Sequence, residues 1–283
     1  MSPKRLISGS VAFAITALAV FNEWVFIAVV CFLTAGGLYE FFYMIKKKDI
    51  PIYSYTGIFI GVLIPLSIFT HFELTRNWEL LFIVCAFLLI LLLQFAREDN
   101  RNAVLGLSTT LFGVLYVSWF FSFLVKIRLL TGPAAIMPDH LWGGPKLLGF
   151  IICVTKASDI GAMLFGTLLG KHPLLPKVSP NKSIEGSVGG LLLSAGVAVL
   201  CRSWLPEIPY FTVWYVAVMG AFFGALGQLG DLSESLIKRD CQVKDSGKLL
   251  PGIGGVLDSI DSLLFSAPAF YLYMSSTLNL YVK

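Results

Sequence analysis

The chain is short of charge. Asp, Glu, Lys and Arg make up 13% of its 283 residues, where a soluble globular domain carries about 25%. Hydrophobic residues make up 57%, and mean hydropathy is +0.81. So little polar material cannot cover a folded chain against water. The shortage excludes a soluble domain, a disordered tail, a collagen-like fibre and a nucleic-acid binder, and leaves the lipid bilayer as the solvent. Histidine is scarce too: His71, His140 and His172 stand far apart, with no imidazole cluster for zinc. The cysteines (Cys31, Cys85, Cys153, Cys201 and Cys241) form no close pair in sequence and no metal spacing. Most lie in or beside apolar runs, where a thiol acts as a small hydrophobe. Internal repeats and low-complexity segments are missing.

What the sequence does have is apolar runs. A helix of about 20 apolar residues crosses the hydrocarbon core. Candidates are Leu6–Phe21, Trp24–Ile45, Tyr55–Phe72, Leu80–Phe95, Val104–Val125, Leu147–Leu169, Val188–Leu205, Phe211–Gly230 and Val256–Met274. The expected fold is therefore an all-α integral membrane protein with about nine transmembrane helices. Only Asn22 and Glu23 separate the first two runs, which predicts a tight helical hairpin. The first run follows Lys4 and Arg5 and ends near Ala17-Leu18-Ala19, a pattern similar to a signal-peptidase site. A multispanning chain needs no cleaved signal, so this span is expected to be retained.

Basic residues orient the set. With the N-terminus in the cytoplasm, Lys4, Arg5, Lys46, Lys47, Lys48, Arg97, Arg101, Lys171, Lys177, Lys182, Lys238, Arg239, Lys244 and Lys248 fall on the cytoplasmic side. Arg76, Lys126, Arg128, Lys146, Arg202 and Lys283 fall outside, and Lys156 lies within a span. The bias predicts N-in, C-out and a polar site near the cytoplasmic face.

Polar residues divide the chain again. Residues 1–145 read as a scaffold of about five spans, whose one carboxylate well inside a span is Glu40, placed to snorkel to the interface. Residues 146–283 read as a catalytic half of about four spans with cytoplasmic loops 170–187 and 231–255. Lys156 and Asp159 share a helix face inside an apolar stretch. A charge there costs about 3 kcal/mol, and the pair reads as self-neutralising or, better, as lining a polar cavity. In the loop KHPLLPKVSPNKSIEG, prolines at 173, 176 and 180 preclude a long helix, Ser183 can cap a helical start and Gly186 can turn.

The second loop carries more chemistry. Asp231, Ser235 and Lys238 share a helix face with Arg239 beside it; Lys244, Asp245 and Lys248 follow; a Pro251-Gly252-Ile253-Gly254-Gly255 turn precedes Asp258 and Asp261, three apart on one face. Asp231, Asp245, Asp258 and Asp261 are hard oxygen ligands suited to Mg²⁺, with no Cys or His to favour zinc. Lys238, Arg239, Lys244 and Lys248 are partners for phosphate oxygens. The glycine turn is expected to leave bare N–H groups ahead of a helix, an anion site. Together these suggest Mg²⁺ with a polyphosphate at a membrane surface. The bland alternative is a solvated loop whose aspartates cap helices, as Asp258 can.

Residues 235–261, SLIKRDCQVKDSGKLLPGIGGVLDSID, closely resemble the signature of the phosphatidate cytidylyltransferases, or CDP-diacylglycerol synthases. Ser235, Lys238, Arg239, Lys244, Asp245, Gly247, Leu250, Pro251, Gly254, Gly255, Asp258 and Asp261 fit it. Gly230-Asp231 is similar to the family's G-D step, Ser179–Gly186 (SPNKSIEG) to its S-P-x-K-[ST]-x-E-G loop, and Asp159 to an aspartate ahead of its A-Y segment. The likeness covers about the last 130 residues; the rest matches only in being membrane spans. The chain departs where the family has a histidine (Ile253), an arginine (Ser259) and a tyrosine (Met163).

The resemblance implies transfer of the cytidylyl group of CTP to phosphatidic acid with Mg²⁺, in the cell's inner (plasma) membrane, with a homodimer as one arrangement open to the family. It implies Asp231 and Asp245 as the leading metal ligands, Asp258 and Asp261 as further ones, and Lys182, Lys238, Arg239, Lys244 and Lys248 as phosphate partners, with Ser179, Glu185, Gly254 and Gly255 at the substrate. A CDP-alcohol phosphotransferase is disfavoured because D-G-x2-A-R is missing and the closing aspartates are too close. A transporter is disfavoured because the polar residues sit in one half. A member that has lost activity through Ile253 and Ser259 is the remaining alternative.

Overall fold

The apolar runs become helices in the computed structural model, which describes residues 3–71, 78–97, 100–137, 143–250, 252 and 254–280. The N-terminal part holds α1 (Pro3–Phe21), α2 (Glu23–Lys46), α3 (Ser54–Phe69) and α4 (Trp78–Phe95). It closes with α5 (Ala103–Gly113), which passes through a π-helical stretch, Val114–Trp119, into α6 (Phe120–Arg128). Asn22 separates α1 from α2 because its backbone is extended and its side chain accepts from the N–H groups of Trp24 and Val25 at 3.0 and 3.1 Å, capping α2.

The C-terminal part holds α7 (Gly143–Leu169), strands β1 (Pro173–Leu175) and β2 (Ser179–Ser183), α8 (Ile184–Leu200), α9 (Val213–Asp240) and α10 (Val256–Leu280). The proline-rich loop is a small antiparallel hairpin, with Pro173 opposite Ser183 and Leu175 opposite Ser179. Ser183 caps α8 by accepting from Gly186 N at 3.1 Å. Gly186 lies inside that helix and makes no turn; a Cβ there would press on Ala162 and Gly166 of α7. Small residues bring α7 and α8 together: Gly161 faces the backbone of Gly189 and Gly190.

Four described helices are long and apolar enough to cross a membrane: Glu23–Lys46, Ala103–Arg128, Gly143–Leu169 and Val213–Asp240. Shorter apolar helices occupy Ser8–Phe21, Ser54–Phe69, Leu81–Phe95 and Ile184–Leu200. The last expected span, on α10, is not among them, for a physical reason. α10 packs against α2, α6, α7 and α9, and Leu257, Leu264, Ala267, Phe270 and Met274 are fully buried. A helix wrapped in protein can carry serines and aspartates that a lipid-facing helix cannot. The chain is a multi-pass, almost wholly helical membrane protein, and its two parts meet on α10, packed against α2 and α6, and on α7, packed against α1 and α6.

Candidate active site

The site is built where α9 crosses α10. A Cβ at Gly230 would overlap the carbonyl of Asp261, so only glycine lets the helices approach here. That approach sets Asp231, the next residue, beside Asp261. One turn further along α9, Glu234 joins them: the carboxylate oxygens of Asp231, Glu234 and Asp261 lie within 4.8 Å of one another. Asp231 is half-buried and Asp261 is buried, with Asp261 Oδ1 accepting from Ser262 N at 2.6 Å. Glu234 is fully buried, and its Oε1 has no partner among the described residues. Three gathered carboxylates with an orphaned oxygen fit a hard divalent cation.

Cations surround the group. Lys182, on β2, reaches Asp231 Oδ2 at 2.6 Å. Lys238 donates to Glu234 Oε2 and Asp258 Oδ1, both at 2.6 Å. Lys156 donates to Asp159 Oδ2 at 3.0 Å, to Ser259 O at 3.1 Å and to Ser262 Oγ at 3.0 Å. The pair Lys156–Asp159 thus neutralises itself and ties α7 to α10, at the residues on either side of Asp261.

The other expected residues fall into three places. Asp258 is occupied: besides Lys238, its Oδ2 accepts from Ser246 N at 3.3 Å and Gly255 N at 3.2 Å. The latter bond caps the start of α10 in the manner of a capping box. Lys244, Asp245 and Lys248 are exposed on the loop after α9, and Asp245 is not in the carboxylate group. Ser179, Lys182, Glu185 and Arg239 organise the hairpin. Ser179 begins β2. Arg239 Nε donates to Val178 O at 3.2 Å. Glu185 accepts from Lys171 N, His172 N and His172 Nδ1 at 3.1, 3.2 and 2.6 Å. The bond to His172 and those from the backbone hold the Glu185 carboxyl down to about 2.

Two readings of the residues are corrected here. Among the described residues, the amides of Ser246, Leu250, Gly254, Gly255 and Leu257 around the turn are not bare. Gly254 and Leu250 bond each other's carbonyls at 3.0 Å, Ser246 and Gly255 donate to Asp258, and Leu257 donates to Glu40 at 3.0 Å. Gly252 and Gly254 have φ of 82° and 125°, which glycine alone adopts freely. The second correction is Glu40. It does not snorkel: it is 1% exposed, inside the protein. Ile253 lies outside the described residues. Ser259 is described, with its Oγ donating to Gly255 O at 3.0 Å. Glu234 was missed as a site residue, although its spacing of three from Asp231 and four from Lys238 puts all three on one helix face.

The pattern of the cytidylyltransferase family matches residues 3–277. The chain belongs to that family. The family's likeness thus runs through the N-terminal part as well as the signature. A phosphatidate cytidylyltransferase of Synechocystis is 32% identical over 293 residues, 97% of either chain. One from Bacillus subtilis is 32% identical over 251 residues, 85% of this chain and 86% of its own. The chloroplastic phosphatidate cytidylyltransferase 4 of Arabidopsis thaliana is 31% identical over 300 residues, 98% of this chain and 74% of its own.

Proposed function

We propose that this chain is a phosphatidate cytidylyltransferase: it transfers the cytidylyl group of CTP to phosphatidic acid, leaving CDP-diacylglycerol in the bilayer and releasing pyrophosphate. The observation that carries the reading is the gathering of Asp231, Glu234 and Asp261 beside Lys182 at the α9–α10 crossing, in a chain 32% identical to a relative of that name along 97% of its length. An oxygen of the lipid phosphate attacks the α-phosphorus of CTP, and the bond from that phosphorus to the bridging oxygen breaks with pyrophosphate departing. A phosphate monoester's second pKa is about 6, so the attacking oxygen is largely free of its proton at neutral pH without a protein base. Positioning and charge neutralisation then dominate.

Mg²⁺ is the cofactor in this reading, held by Asp231, Glu234 and Asp261, and when bound it supplies positive charge to phosphate oxygens. Lys182 meets a phosphate when it leaves Asp231. Arg239, Lys244 and Lys248 add positive charge on the open side. Lys238 acts through Glu234 and Asp258, both of which it holds, and is a positioning residue. The N-terminal part to residue 145 serves as scaffold and residues 146–283 carry the chemistry. Loops 170–187 and 231–255 face the cytoplasm, where CTP is available, and the chain sits in the inner (plasma) membrane, with a homodimer allowed.

Detergent-solubilised protein given labelled CTP, phosphatidic acid and Mg²⁺ should form labelled CDP-diacylglycerol, resolved by chromatography. No lipid-soluble label, or turnover independent of phosphatidic acid, would sink the reading. Lys177→Cys and Lys248→Cys should react with a membrane-impermeant thiol reagent only from the cytoplasmic side.

A further inference from the structure

Among the described residues, Glu40 is the carboxylate that the N-terminal part sends into the site region, and the mechanism above makes no use of it. It stands one and a half turns before the end of α2, at 1% exposure. Its Oε2 accepts from Ser246 Oγ and from Leu257 N, both at 3.0 Å. The first bond reaches the loop between α9 and α10; the second reaches the opening turn of α10. A single oxygen therefore pins both ends of the glycine turn to a helix more than 200 positions away in sequence.

The turn is shaped to receive it. A Cβ at Gly247 would overlap the carboxyl group of Glu40, and one at Gly255 would overlap Ser246 Oγ and press to 2.8 Å from Glu40 Oε2. Both glycines leave room for this one side chain. Glu40 takes the position at the start of α10 that an anion would otherwise occupy, and helix N-termini favour negative charge there. The same turn brings Asp258 to Lys238 at 2.6 Å, and Lys238 in turn holds Glu234. Lys244 and Lys248 ride on the stretch that Ser246 anchors.

We infer that Glu40 is a positioning residue for the nucleotide side of the site, an internal acceptor that locks the loop 241–255 onto α10. The inference rests on the reading of the chain as a cytidylyltransferase acting on CTP, and it predicts a selective effect. Lipid enters from the bilayer and does not depend on this loop, whereas the triphosphate meets it.

The test compares Glu40→Leu, which keeps bulk and loses both acceptors, with Glu40→Gln, which keeps one acceptor oxygen. Glu40→Leu should raise the KM for CTP about tenfold with the KM for phosphatidic acid unchanged, and Glu40→Gln should stay within about threefold of wild type. Hydrogen exchange should speed up in Glu40→Leu over residues 244–258 and nowhere else. Wild-type KM for CTP together with wild-type exchange in Glu40→Leu would overturn the inference, as would equal damage from both variants or a parallel fall in every kinetic parameter. Should Glu40→Leu fail to insert, Ser246→Ala removes one of the two bonds and should show the same selective rise, smaller; an unchanged KM there would overturn it. A wild type without cytidylyl transfer refutes the proposed function, while the exchange measurement still judges the locking by Glu40.

Discussion

The charges at the α9–α10 crossing and those on the loop that follows α9 are the same residue types under opposite conditions. At the crossing, Glu234 and Asp261 are buried and Lys238 is engaged by two carboxylates. On the loop, Lys244, Asp245 and Lys248 are exposed. Water screens the loop's charges and protein does not screen those of the crossing, so a charge lost at the crossing is felt in full. The lesson is that a signature rich in aspartate and lysine contains two kinds of position: a preorganised electrostatic core and a solvated approach to it.

The sharpest way to break this comparison is to neutralise the core. Asp231→Asn and Asp261→Asn keep volume and remove charge, and each should lower cytidylyl transfer about a thousandfold while the protein still inserts and purifies. Titration calorimetry of each variant with Mg²⁺ should show weakened binding. Near-normal turnover in either would remove that residue from the metal site.

Next in size is the buried lysine. Lys238→Met strands Glu234 and Asp258 without their shared cation, and removing one partner of a buried pair costs about 3 kcal/mol or more. Thermal unfolding in detergent should show a clear drop, whereas Lys248→Ala on the loop should leave the transition where it is. Equal transitions in the two variants would erase the distinction between core and approach.

The loop itself should give smaller, substrate-linked effects. Asp245→Asn and Lys244→Ala should each change the KM for CTP by about tenfold or less, the scale of one charged contact. A loss in Asp245→Asn as deep as in Asp231→Asn would place Asp245 with the metal, as the family resemblance implies.

A weaker effect comes from the hairpin. Glu185 is held at about 2 in the fold against an ordinary 4.5. A carboxyl with a depressed value adds stability that is fully present above its unfolded pKa and lost as pH falls through the folded one. The bonds that the Lys171 and His172 backbone N–H groups give this carboxylate should therefore hold above pH 4.5 and loosen between 4.5 and 2. Thiol labelling of Lys177→Cys should accelerate over that window, and a Glu185→Gln background should lack the step. The smallest change expected is at Ser259, whose hydroxyl bonds back to Gly255 O on its own helix turn. Ser259→Arg should alter turnover within about threefold, because Lys182 and Lys238 already place cations around the carboxylates. A silent wild type restored by Ser259→Arg with Ile253→His would show that these two positions had switched the enzyme off.

Much of the fold was legible because apolar runs have no other stable home than helices in lipid. The run starting at Val256 shows the limit. Its apolar residues made it read as one more span, while its enclosure by α2, α6, α7 and α9, which lets it carry serines and aspartates, depends on packing that hydropathy does not encode. The hairpin at 173–183 was read only as a segment too rich in proline for a long helix, since the pairing of Pro173 with Ser183 has no period to reveal it. Asp231 and Asp261 stood out through fixed spacing to lysines and glycines. Glu234, between two serines on the same helix, was marked only by its spacing of three from Asp231 and four from Lys238.

The sequence by itself determined the solvent, the helical class, the family and the stretch of chain where chemistry concentrates, because these follow from composition and from motifs local in the chain. Tertiary structure alone decided which carboxylates meet. Gly230 lets α9 touch the carbonyl of Asp261, which gathers Asp231, Glu234 and Asp261 and leaves Asp245 in solvent. It also decided that Glu40, from the far end of the sequence, fills the start of α10, since a buried backbone N–H and a buried carboxyl each require a partner that only the folded chain can bring.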